Sequence, residues 1–81
     1  MIKPRDLMRR TSSVTIQNSG KLYTVGYEEV RDSSGGTVRL DTGQATHVGG
    51  LTAELVAQHL LEEIISSGLA DKLGLGRPLQ K

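Results

Sequence analysis

His47 and His59 are the side chains best suited to hold a metal or move a proton, because imidazole offers a ligating nitrogen and titrates near neutrality. Neither has a second ligand at a spacing that defines a metal centre, and there is no Cys in the chain. His59 shares its stretch with Glu62 and Glu63, a grouping expected on the solvated side of a helix. His47 stands shortly before a helix start, where end-packing and binding are both open. Serines are plentiful, yet no Gly-x-Ser-x-Gly elbow occurs. Gly35-Gly36 and Gly49-Gly50 lack the Lys and Ser/Thr of a phosphate-cradling loop, so both read as turns. The sequence therefore predicts no catalytic residue, no metal site, no cofactor and no small-molecule substrate, and the chain does not read as an enzyme.

A second chemistry is phosphate contact. Lys3, Arg5, Arg9 and Arg10 fall in residues 1–12 beside a single Asp, and such a cluster gains affinity for nucleic acid through counterion release. The competing expectation is a solvated basic arm, and overall charge favours it: ten basic against nine acidic side chains leave a formal charge of +1 and no global field to draw in nucleic acid. Two Tyr, with neither Phe nor Trp, leave little aromatic surface for stacking bases or sugars. Apolar runs are short of the roughly 20 residues of a membrane span, and Met1 to Arg10 lacks the apolar centre of a signal peptide. With no Cys to form disulfides, the expected location is a virion or the cytoplasm, without secretion or membrane insertion.

The elements that must position these groups follow from periodicity. Residues 1–12 read as a flexible basic arm, 13–69 as the folded domain, and 70–81 as a short helical turn and frayed tail. From Ser13, Val14 and Ile16 alternate with polar residues, the mark of a strand with one buried face. Asn18-Ser19-Gly20 is a turn, and Lys21 to Arg31 is a second strand in which Tyr23, Val25 and Tyr27 share a face. Gly26 within it signals a bulge or a close backbone approach. Asp32 to Gly36 turns the chain, Thr37 to Asp41 returns antiparallel, and residues 44–48 stay open between edge strand and loop.

Gly49 to Leu69 encodes a helix start, an apolar stripe and a stop. Thr52 is the expected N-cap, Glu54 suits the positive end of the helix dipole, and Gly68 supplies the left-handed residue beyond the C-terminus. Ala53, Val56, Ala57, Leu60, Leu61 and Ile64 fall on one side at 3.6 residues per turn. The predicted fold is α+β: a three-stranded antiparallel meander, four-stranded if 44–48 joins it, packed on one C-terminal helix. Leu61 and Ile65 widen the stripe beyond what one small sheet covers, and Leu55 falls near the polar side. These three are candidate partner-interface residues; the alternative is contact with Leu69, Leu73 and Leu75 folding back.

The order of motifs from Asn18 to Gly68 resembles a segment of the tail nozzle proteins, also called tail tubular protein B, of short-tailed bacteriophages. The similarity lies in Gly20-Lys21, the strand Leu22-Tyr23-Thr24-Val25, the turn Asp41-Thr42-Gly43-Gln44, the His47-Val48 pair and the helical run Leu55-Val56-Ala57-Gln58-His59-Leu60. Chains of that family are many hundreds of residues long, so the resemblance implies one packing module and carries over neither a ring nor a DNA channel. It implies a structural or assembly role without catalysis, through a protein partner or self-association. The second functional expectation is a small DNA-binding domain similar to the arm-binding domains of tyrosine integrases, which also set a three-stranded sheet on a helix.

Overall fold

The computed structural model describes residues 8–32 and 35–79. Its elements are β1 (Met8–Asn18), β2 (Lys21–Asp32), β3 (Gly35–Leu40), β4 (Ala45–His47), α1 (Ala53–Ser66), α2 (Leu69–Lys72) and β5 (Gly76–Pro78). The expected α+β fold, with an antiparallel meander and a C-terminal helix, is the observed one. Residues 44–48 resolve as strand β4 with a short connection on each side.

The β1–β2 hairpin is organised by a two-residue turn in which Ser19 (φ 51°) and Gly20 (φ 78°) are both left-handed, a geometry that matches the twist of paired strands. Every β1 residue pairs with one of β2, from Asn18↔Lys21 at the turn to Met8↔Arg31 at the far end. The expected flexible arm over 1–12 is thus corrected from Met8 onward: β2 runs to Asp32 and draws Met8 to Ser12 into the ladder as its partner. The second edge of β2 is shared. β3 takes the far half, Tyr27 to Asp32, and β5 takes the half beside the turn, Lys21 to Tyr23.

β5 overturns the expected frayed tail. Gly and Pro at 74, 76 and 78 do stop a helix, but they also let the chain double back onto the vacant part of β2. Gly76 lies flat against Tyr23, where a Cβ would sit 2.8 Å from the ring. Pro78 is tolerated because the ladder bonds of β5 centre on Arg77, opposite Leu22, and the Leu79 amide then donates to the Gly20 carbonyl at 3.0 Å.

One face of the sheet carries the core. Val14, Tyr23, Val25, Tyr27, Val38, Leu40 and Val48 meet Ala53, Val56, Ala57, Leu60, Leu61 and Ile64 of α1, and Ala70 of α2 closes the end. Each fully buried aliphatic contributes about 1.5–3 kcal/mol. The Thr52 hydroxyl accepts from the Leu55 amide at 3.2 Å, and Gly68 (φ 87°) ends the helix, both as read from sequence. Val48 is held beside Gly36 by an amide-to-carbonyl bond of 2.9 Å, so α1 starts near the far end of the ribbon and runs toward the turn. At about 3.4 Å per residue in β and 1.5 Å in α, the ribbon outruns the helix. The molecule extends 55 × 20 × 18 Å, with a radius of gyration of 14.4 Å against roughly 12 Å for a compact domain of this length.

Candidate interaction surface

The histidines end up near one another but form no centre. His47 on β4 and His59 on α1 line a shallow cleft of about 370 Å³ together with Glu63. Among the described residues no three His, Cys, Asp or Glu side chains are placed to hold a metal ion. The sequence separates His47 and His59 by a turn and a helix start, so only the packing of α1 beside β4 reveals that they share a wall.

Of the four basic candidates, the two that fall among the described residues, Arg9 and Arg10, do not share a face. Lys3 and Arg5 lie outside the described residues. Arg9 and Arg10 are neighbours on a strand and so point to opposite faces. Arg9 is on the uncovered face, 3.0 Å from Glu28, whereas Arg10 is on the helix side, in a cleft of about 430 Å³ with Met8, Tyr27, Glu29, Arg31 and the start of α1. Arg31 is itself paired with Glu29.

Of the apolar interface candidates, Leu61 is corrected. It is completely buried, in a core cluster that reaches Ala70 of α2 as well as the sheet. Ile65 is half-buried and packs on the same core with Leu69 and Leu75, as the fold-back alternative anticipates, while Leu73 stays exposed. Leu55 is 40% exposed. Exposed Met8 and Leu51 line one cleft, and periodicity could not pair them because they lie on different elements.

At the turn end, one polar cluster ties α2 to the sheet. The Tyr23 hydroxyl donates to Asp71 Oδ1 at 2.8 Å, and Lys21 Nζ donates to the same oxygen at 3.3 Å. The Tyr23 bond, followed by that from Lys21, holds the Asp71 carboxyl below its ordinary range. In return, the bond to Asp71 raises the Tyr23 phenol, and burial adds to the rise. Both effects favour a neutral donor facing a charged acceptor, which suits a structural tie.

Among the described residues no element covers the sheet face away from α1. It presents Arg9, Thr11, Ser13, Thr15 and Gln17 along β1, with the Thr15 and Thr24 hydroxyls 3.0 Å apart across the ribbon. Gly26 is the close approach that its position in the strand signalled: the Asp41 carboxylate sits where a Cβ would be, and the Asp41 amide donates to the Gly26 carbonyl at 2.9 Å.

The outer edge of β1 is the longest unpaired strand edge among the described residues. Among the described residues no strand pairs with it over its 11 residues. Only Val14 is buried and Ile16 half-buried. A sequence signal for this edge did exist. The turn at Ser19-Gly20 pairs each β2 residue with a fixed β1 partner, so a second strand reaching Arg31 requires a first strand reaching Met8. Arg10 and Ser12 sit at inward positions without being apolar, which hides the strand from hydrophobic periodicity.

Compared with known proteins, the chain matches no family model, no curated protein and no solved structure. Among the described residues no helix is long and apolar enough to cross a membrane.

Proposed function

We propose that this chain is a non-catalytic structural module that works by contact within a larger assembly, of the kind a phage tail or related particle uses. The observation that carries this reading is the exposed edge of β1: a long ribbon strand whose outer backbone N–H and C=O groups have no partner strand among the described residues. An open edge of this length is a template for adding a strand, and main-chain bonding gives affinity without a pocket. The chemistry-bearing side chains support the same view, since Asp71, Glu28 and Glu29 are engaged in ties within the fold. The motif order from Asn18 to Gly68 supplies the phage-tail component of the proposal, and placement in the virion follows from it.

The test is composition. Mass spectrometry of purified particles from the source that encodes this chain is expected to find it at a fixed copy number relative to other particle proteins. Particles that lack it, with the chain recovered free from the same preparation, contradict the assembly role.

A further inference from the structure

We propose that the occupant of the β1 edge is a second copy of β1, paired antiparallel about a twofold axis through Ser13. This rests on the assembly reading above and names its partner. A two-residue hairpin turn makes its flanking residues, Asn18 and Lys21, exchange both backbone bonds, and antiparallel bonding then recurs at every second pair: Ile16–Tyr23, Val14–Val25, Ser12–Tyr27 and Arg10–Glu29. The Asp41 amide bonded to the Gly26 carbonyl obeys the same alternation on the other side of β2. Even-numbered residues of β1 therefore bond to β2. Arg9, Thr11, Ser13, Thr15 and Gln17 direct their N–H and C=O groups outward.

Those five residues are self-complementary. With Ser13 opposite the partner's Ser13, Thr11 faces Thr15 and Arg9 faces Gln17, so every outward N–H and C=O of the five meets its counterpart. The centre of the seam carries only Ser and Thr, which are small enough to oppose one another directly. No arginine faces an arginine: the two Arg9 residues stand about 27 Å apart at 3.4 Å per residue. On the helix side, the half-buried Ile16 lies opposite Arg10 of the other copy, whose methylene stem can cover it. Pairing also stops at two, because the other edges of the sheet among the described residues are β4 and β5, each only three residues long. The interface is isologous and closed.

Sedimentation velocity on the full chain, from micromolar to millimolar concentration, tests this. The expected result is a reversible monomer–dimer equilibrium. Gln17→Glu places a carboxylate against the partner's Arg9 twice per dimer and tightens it, whereas Gln17→Lys opposes two cations and loosens it. Gln17 is exposed and its ladder bonds point outward, so neither change disturbs the hairpin, and the two Kd values should differ by about tenfold. Ser13→Pro removes the central outward N–H and is expected to sediment as a monomer. A monomer throughout, with Gln17→Glu included, overturns the pairing, as does a dimer whose Kd ignores both Gln17 charges. Particles that contain the chain while it sediments as a monomer remove this inference and leave the assembly role standing. A charge-sensitive dimer absent from particles does the reverse.

Discussion

At the scale of single residues, the leucines of α1 show how a helical wheel misleads when the covering surface is larger than the sequence reveals. Leu55 and Leu61 both look peripheral to a stripe matched to one small sheet, but the core also takes in Ala70, Leu69 and Leu75 beyond the sheet, and Leu61 is sealed while Leu55 remains 40% exposed. Their truncations should separate accordingly. Leu61→Ala is expected to cost about 2–5 kcal/mol, the range for emptying a filled core site. Leu55→Ala should stay within about 0.5 kcal/mol of the parent. Urea midpoints at constant slope measure both, and equal losses would contradict the assignment. Gly26 was legible for a different reason: a glycine in an otherwise well-patterned strand signals that something comes close, and here it is the Asp41 carboxylate.

At the scale of elements, the sequence was most legible where a local rule has a single outcome. The Thr52 cap, the Gly68 stop and the Tyr23-Val25-Tyr27 face are all present in the fold. It was least legible where an element exists only because a neighbour leaves an edge open. β5 is three residues containing Gly and Pro, and no propensity predicts it; it forms because β3 leaves Lys21 to Tyr23 of β2 unpaired on that side. The same long-range logic joins Asp71 to Tyr23 and Lys21, residues about fifty positions away in the chain. Because the folded carboxyl of Asp71 lies below its unfolded value, its contribution to docking α2 and β5 is present above the ordinary carboxylate range and fades as pH falls through the lowered value. The raised phenol of Tyr23 acts at the other extreme, holding below the ordinary tyrosine range and losing its contribution as pH rises through the elevated value. Amide protection at Arg77 and Leu79, taken relative to the intrinsic exchange rate at each pH, should therefore fall on acidification before that of the core amides does, and Asp71→Asn should flatten that acid response. An unchanged acid response in Asp71→Asn would show that another carboxylate controls the tail.

At the scale of the whole molecule, length is the informative property. Met8 to Ser12 extend the ribbon yet all stay exposed, a poor use of residues for a domain whose only task is to fold. It makes sense if the ribbon is a surface for a neighbour. The expected basic arm illustrates the cost of reading charge without topology: four cations close in sequence suggest a phosphate-binding segment, but strand geometry sends Arg9 and Arg10 to opposite faces, and Arg9 already faces Glu28. What remains exposed and continuous among the described residues is backbone, along the outer edge of β1. Hydrogen exchange resolved by residue along this strand is the most direct measurement of that edge as the working surface, comparing dilute chain with chain at high concentration. Arg10, Ser12, Val14 and Ile16 should be protected in both, while Arg9, Thr11, Ser13, Thr15 and Gln17 should exchange freely when dilute and become protected when concentrated. Fast exchange at those five amides under both conditions would contradict self-pairing along this edge.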